Sequence, residues 1–316
     1  MRKIDSIFDS CDRRKFISAC AALLPVSYLN MFPDYLPPNS TSFSFEKVGL
    51  NLGSVQDQLA NNPMETVNLI NRLGLRHLEL PGTSLLRQLH PILSGAGFKI
   101  SSSHFYSPYI TGNWAPMGSM GMKLPKERDF KSVIEIAQKY ELEYLVMPGI
   151  FPEDRGGLEV YQKLADKLNE SGQQCQNAGI QLCYHHYSYE FQPMEDSSPL
   201  REMLKILDSS LVKLETDTFW LSLADISALD FLEEHQAFLG PMHLADKSGE
   251  APQTYRAVTL PKGSHLPVGE GVVPFDKILN AAAINKAPYF FIHLENMVKP
   301  LEALQKSATY LKRLSG

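Results

Sequence analysis

Two hydrophobic rhythms alternate along this chain. Short apolar runs rich in β-branched and aromatic residues recur at 48–52, 75–80, 99–105, 144–147, 181–186, 211–216, 242–244 and 289–294. Between them lie longer stretches, at 63–73, 84–93, 126–140, 158–177, 199–207, 226–238, 274–283 and 300–314. In these, apolar residues return every third or fourth position; in 126–140, Phe130, Val133, Ile134, Ala137 and Tyr140 share one face. The first rhythm predicts strands and the second amphipathic helices. Gly74, Gly179 and Gly240 stop three of the helices. Eight strand–helix units in strict alternation predict an α/β fold, a single-domain (β/α)8 TIM barrel with a buried parallel sheet. An open doubly wound sheet fits less well, since no Gly-x-Gly-x-x-Gly follows the first strand.

Ahead of the barrel the pattern changes. Asp12-Arg13-Arg14-Lys15-Phe16-Ile17 precedes a modestly apolar run, 17–29. A paired arginine before a weak apolar segment predicts an export signal of the twin-arginine type over 1–30, hence a periplasmic protein. The rival readings are a cytoplasmic chain with a basic turn, or a lipid anchor at Cys20 in Ile17-Ser18-Ala19-Cys20. Cys20 precedes most of the apolar run, which argues against the anchor. A Pro- and Ser-rich linker is expected over 31–44 and the barrel over 45–316.

Composition narrows the function. With 30 basic and 35 acidic residues the net charge is −5, which does not suit nucleic-acid binding. No apolar run is long enough to span a membrane. The four cysteines, Cys11, Cys20, Cys175 and Cys183, fit no zinc spacing and are too few for a disulfide scaffold.

The chemistry of a parallel barrel collects at the C-terminal strand ends. Here those ends carry Glu79, His104, His185, His186, Asp217, His243 and Glu295, with Glu190 just beyond the fifth. Asp217 ends an apolar strand, where a carboxylate is costly unless paired. On its own it reads equally well as the cap of a following helix. With His243 and Glu295 on the next two strand ends, it completes the oxygen and imidazole set that a divalent metal uses.

Several segments resemble one family. Leu78-Glu79-Leu80-Pro81-Gly82, Ser103-His104-Phe105, Glu215-Thr216-Asp217-Thr218-Phe219-Trp220 and Met242-His243-Leu244-Ala245-Asp246 are similar to strand-end motifs of the xylose isomerase-like barrel superfamily, in its sugar phosphate isomerase/epimerase branch. Pro267-Val268-Gly269-Glu270-Gly271 resembles its Gly-Glu-Gly loop. Cys183-Tyr184-His185-His186-Tyr187-Ser188-Tyr189-Glu190-Phe191 resembles the strand-five Tyr-His-Asn-His-Asp-Phe-Glu-Phe motif, but departs from it at His186, Tyr187 and Ser188. Ala245 replaces a lysine of the strand-seven motif, with Lys247 two residues on.

The resemblance implies one divalent metal, Mn, Zn, Co or Mg, and a small sugar or keto-sugar substrate. The three-zinc apurinic-site endonucleases of the superfamily match at His104, Asp217, His243, His265 and Glu295. They fail at Met147 and Gly263, where further ligands would be needed. The single-metal epimerases pair two glutamates; Glu295 matches one, and the strand-five partner has no carboxylate counterpart near His185. Either His185 or Glu190, folding back from the following loop, then takes the fourth ligand place beside Asp217, His243 and Glu295; strand alternation favours His185, with Glu190 as base or supporting group. The implied reaction is metal-assisted proton abstraction next to a sugar carbonyl. Glu295 or a strand-five residue would act as base, with His104 and Lys247 as donors to the oxygens. Glu79, His186, Trp114, Trp220 and His265 are the candidates to contact substrate. Epimerisation or isomerisation is the first expectation. Keto-glycoside elimination or hydration, or an exported barrel that only binds sugar, are the alternatives.

Overall fold

The computed structural model describes residues 43–256, 260–281, 284 and 286–315. The twin-arginine segment, Cys11, Cys20 and most of the expected linker lie outside the described residues. Eight parallel strands close into a barrel: β1 (Val48–Asn51), β2 (His77–Leu80), β3 (Lys99–His104), β4 (Tyr144–Pro148), β5 (Gln181–His185), β6 (Val212–Asp217), β7 (Leu239–Leu244) and β8 (Phe290–Ile292). Each strand pairs with its sequence neighbours, and β8 closes on β1 with Gly49 opposite Phe291. The ring is the (β/α)8 barrel that the alternating pattern predicts.

Eight helices follow the strands: α1 (Pro63–Arg72), α2 (Leu86–Gly95), α3 (Phe130–Lys139), α4 (Leu158–Asn177), α5 (Pro199–Ile206), α6 (Ala228–Glu234), α7 (Phe275–Asn280) and α8 (Pro300–Leu314). Local signals set their ends. Asp129 caps α3 by accepting from Ser132 N at 3.0 Å. α4 stops at a left-handed Gly179, φ 76°. Expected positions 282 and 283 of the seventh helix lie outside the described residues.

Short apolar segments escape the periodicity. Thr218–Leu223 is a separate helix that starts directly at the end of β6. Pro108–Thr111 and Ala115–Ser119 are helical turns within the long loop after β3. Phe43, in the expected linker, is buried with its ring edge-on to Phe290 at 5.4 Å. No described helix is long and apolar enough to cross a membrane.

Apolar side chains between the barrel and its helices form one continuous core. Inside the barrel the space is tight near its base. A β-carbon on Gly49 would collide with the His77 carbonyl oxygen and the Phe291 ring, so glycine is required there. Higher up, towards the C-terminal strand ends, the inward positions turn polar.

Candidate metal centre and mouth cavity

Period-two alternation sorts the polar residues. On β6, Glu215 and Asp217 both point inward, and each is fully buried. On β2 the inward residue is Glu79, and at the ends of β3, β5 and β7 it is His104, His185 and His243. They meet in two overlapping groups. Glu79, His104, Glu215 and His243 each offer one donor atom within 4.8 Å of the others, and so do His185, Asp217 and His243.

His243 joins the two groups through opposite edges of its ring. Its Nε2 lies 2.6 Å from Glu79 Oε1 and 3.3 Å from Glu215 Oε2, while its Nδ1 lies 3.3 Å from Asp217 Oδ2. His185 Nε2 stands 3.6 Å from the same Asp217 oxygen, beyond hydrogen-bond reach. Neither ring nitrogen of His185 has a hydrogen-bond partner, although the residue is only 2% exposed. Buried nitrogens left unsatisfied beside a carboxylate and a second imidazole are what a divalent cation would satisfy. The residues present therefore fit a metal, with His185, Asp217 and His243 as its donors.

Asp217 serves two roles with its two oxygens. Oδ1 accepts from Phe219 N at 2.8 Å and Trp220 N at 3.2 Å, capping the helix that follows. Oδ2 faces the imidazoles. The cap and the site readings of this residue both hold.

The surrounding electrostatics follow from these pairings. Burial opposes a charge on His104, but Glu79 and Glu215 outweigh it and lift its pKa to about 10. Burial likewise opposes a charge on His243, and Glu215 and Glu79 raise it to about 9. Burial drives His185 the other way, to about 3, so that ring is already neutral, whereas His243 would release its extra proton on taking up an ion. Burial, together with the nearby Glu79, pushes Glu215 up to about 7.

Above this floor opens a cavity of about 470 Å³. Asn51 and Glu295 line one side and His104, Pro148, His185 and Tyr187 the other, with His293 between the floor and Glu295. Glu295 stands apart from the metal donors. His293 is the β8-side residue that reaches Asp217, with Nδ1 3.1 Å from Oδ2, and its Nε2 lies 3.3 Å from Glu295 Oε1. β8 ends at Ile292, so Glu295 lies three residues on, in the loop, where it lines the cavity. Burial works against its ionisation, yet His293 holds its pKa at about 2.

Other expected site residues are placed elsewhere. Glu190 is not at the mouth: it accepts from Tyr184 Oη at 2.6 Å and Tyr187 N at 2.9 Å. Tyr184 alternates with inward-pointing His185, so this carboxylate lies behind the barrel wall and cannot serve as the base there. His186 also faces outward, packed on Phe191 and Phe231, with Nε2 accepting from Asp217 N at 3.4 Å. It is not a substrate contact.

Lys247 pairs with His265 in a two-residue antiparallel ladder, Asp246–Lys247 with His265–Leu266, which carries it away from the cavity lining. Trp114 packs on Tyr109 beneath Arg128, outside the cavity. Trp220 is buried between Tyr187 and Phe219 and backs the wall without lining it. His265 stacks on Phe219 at 3.5 Å and faces Glu295 Oε2 at 3.8 Å. Glu79 is on the floor, held by Asn51 Nδ2 at 2.7 Å and Ser102 Oγ at 2.6 Å.

Glu215, His293 and Tyr187 were not singled out from sequence. Glu215 lies two residues before Asp217 on the same face of β6, and His293 directly follows β8, two residues before Glu295.

The sequence profile of the xylose isomerase-like TIM barrel family matches residues 59–314. The chain belongs to this family. Proteins similar to it include an inosose dehydratase of Bacillus thuringiensis (strain Al Hakam), 22% identical over 93% of this chain and 96% of the relative. A sugar phosphate isomerase/epimerase from Parabacteroides distasonis shares the fold, with TM-score 0.68 and 19% identity over 88% of this chain and 98% of its own. So does the IOLI protein, whose structure carries a zinc atom, with TM-score 0.62 and 14% identity over 85% of this chain and 98% of its own. The twin-arginine expectation lies outside what these likenesses address.

Proposed function

We propose that this barrel is a lyase-type member of its family, removing the proton next to the carbonyl of a keto-sugar or cyclic keto-polyol and then expelling a β-oxygen substituent. The observation that carries the reading is the one-sided placement of acid groups around the cavity. Its wall carboxylates, Glu295 and Asp57, follow the adjacent strands β8 and β1. His104 and His185 end strands three places away from β8 in either direction, and Tyr187 follows β5. Proton transfer from both faces of one carbon would call for a carboxylate on each side; elimination needs one base and a different acid. The likeness to an inosose dehydratase supports the same choice.

Glu295 is the base. His293 Nε2, 3.3 Å away, orients its carboxylate and keeps it ionised. The C–H bond next to the carbonyl breaks towards Glu295, and its electrons move onto the carbonyl oxygen. They then return to form the carbon–carbon double bond as the β C–O bond breaks. The departing oxygen takes a proton from the opposite side. His104 is suited to this: its Nε2 is engaged by Glu215 at 2.9 Å, which leaves Nδ1–H as its other donor. A divalent ion held by His185, Asp217 and His243 would supply Lewis-acid polarisation of the carbonyl. Zn or Mn suits this nitrogen and oxygen donor set.

The test is incubation of metal-loaded protein in deuterated water with an inosose and a panel of keto-glycosides. Deuterium entering next to the carbonyl, together with an unsaturated ketone product, is expected. Exchange that yields only an epimer would replace the lyase reading with an epimerase. No exchange with any substrate would favour a barrel that binds sugar without turning it over.

A further inference from the structure

Beneath the mouth donors, the barrel interior holds a second set of four. His104 Nε2, His243 Nε2, Glu79 Oε1 and Glu215 Oε2 surround one point inside the barrel. Four of their six separations are 3.3 Å (His104–Glu79), 2.9 Å (His104–Glu215), 2.6 Å (His243–Glu79) and 3.3 Å (His243–Glu215). All four atoms lie within 4.8 Å of one another. A tetrahedral zinc with bonds of about 2.0–2.1 Å requires donor–donor edges of roughly 3.3 Å. Three of these edges are within a few tenths of an ångström of that length; the fourth, His243–Glu79 at 2.6 Å, is a hydrogen bond that an ion would open into a longer edge.

Two further features point the same way. Glu215 is fully buried, and its second oxygen, Oε1, has no hydrogen-bond partner. An unused carboxylate oxygen inside a barrel is costly unless a cation takes it up. An ion would displace the protons that Glu79 and Glu215 now hold on His104 and His243, and the two carboxylates would then balance its divalent charge without a counter-ion. The supporting contacts are in place: Asn51 Nδ2 and Ser102 Oγ donate to Glu79 and fix how it points.

We propose that Glu79, His104, Glu215 and His243 form a second divalent-cation position, closed by four protein donors and separate from the three-donor position at the mouth. It goes beyond the lyase reading and does not depend on it. The two positions meet at His243, which turns Nε2 to the interior and Nδ1 to the mouth, so the neutral ring serves one ion at a time and holds both only as an imidazolate that has released both ring protons. The interior ion would fix the ring on which the mouth position relies. The donor set, two nitrogens and two oxygens in a closed tetrahedral cage, selects zinc or cobalt over calcium or magnesium.

The test disables the mouth position and asks whether an ion still binds. In the double variant His185→Ala/Asp217→Asn, the asparagine oxygen can still cap Phe219 N and Trp220 N. Metal-free full-length protein is titrated with Co²⁺ and read by visible absorption, with metal content measured after dialysis. One ion per chain with the intense spectrum of four-coordinate cobalt is expected. Adding Glu215→Gln, or independently His104→Gln should the first variant not fold, should abolish both readings.

If the mouth-disabled protein binds nothing while wild type binds one ion, the interior position is overturned and the mouth reading stands. If it binds an ion that neither added substitution removes, the ion is elsewhere and the proposal falls. If wild type and the mouth-disabled protein both bind a single ion that Glu215→Gln removes, the interior position holds and the mouth assignment is the one that fails.

Discussion

Asp217 Oδ2 accepts a hydrogen bond from His293 Nδ1 at 3.1 Å, and the far side of that ring faces Glu295 Oε1 at 3.3 Å. One imidazole thus couples the buried floor of the site to the half-buried carboxylate assigned as base. His293→Ala should cut that link. Glu295 would lose its orienting partner, and turnover should fall by roughly 10- to 100-fold, as for other mispositioned catalytic groups. Metal should stay bound, since His185, Asp217 and His243 are untouched. Deuterium-exchange rates beside metal content would check this; loss of metal in the variant would make His293 a ligand.

Glu295→Gln separates chemistry from binding more sharply. Glutamine keeps the size of the side chain and can still meet His293, but it cannot take a proton. Exchange next to the carbonyl should drop by at least about a hundredfold while substrate affinity changes little. Exchange that survives intact would move the base to His185 or Asp57.

Asp246 shows how the Gly-Glu-Gly loop is held. Its Oδ2 accepts from Gly269 N at 2.9 Å and Gly271 N at 2.8 Å, and its Oδ1 from Lys247 N at 2.9 Å and Val273 N at 3.1 Å. Asp246→Asn would set an amide N–H₂ against two backbone donors. The expected cost is about 1–3 kcal/mol, read as a lowered melting temperature with metal affinity unchanged. Gly271→Ala should destabilise in the same way, because its β-carbon would collide with the Asp246 carboxylate.

Glu190 makes a prediction about pH. Burial pushes its pKa up to about 7, against an ordinary value of 4.5, and its hydrogen bonds from Tyr184 and Tyr187 offset only part of that. Between those values the folded chain holds this proton more tightly than the unfolded chain. Stability from this group is therefore present in full below pH 4.5 and is lost as pH rises to about 7. The loss is on the order of a few kcal/mol. Glu190→Gln should remove it, so the variant should gain on wild type between pH 4.5 and 8. Unfolding curves at both pH values give the difference, in which other titrating groups cancel. A constant difference would mean that Glu190 is already ionised at low pH in the fold.

The strands and most helices were legible because burial on a barrel leaves a period in the sequence. α4 and α8 even end where glycine or the chain end suggests. The site was legible as a set of strand ends, and less so as a set of distances. Alternation predicts that His185 points in, as it does, and the same rule places Glu215 beside Asp217 and His293 below Glu295. What sequence could not supply is height along the barrel. Asp217 ends β6, but β8 ends at Ile292, so Glu295 lies three residues on in the loop and outside the donor set. Glu190 went astray for a different reason. A carboxylate five residues past a strand can fold over the mouth or behind the wall, and only its bond to outward-facing Tyr184 decides between them.

The one-sided carboxylates of the cavity lead to a test by gain of function. If elimination prevails because the β5 side lacks a carboxylate, supplying one there should open a second route. His185 is the position to change: it is inward, lines the cavity, and lies across from Glu295. In His185→Glu the new carboxylate could still meet the ion beside Asp217 and His243, since oxygen and imidazole are interchangeable ligands for zinc or manganese. It could also return a proton to the face opposite Glu295. The variant should then give an epimerised substrate carrying solvent deuterium at the carbon next to the carbonyl, at the expense of the unsaturated product. Chiral chromatography with mass detection would measure the two products. A variant that binds metal and substrate yet forms no epimer would show that the missing β5 carboxylate is not what keeps this barrel from epimerising.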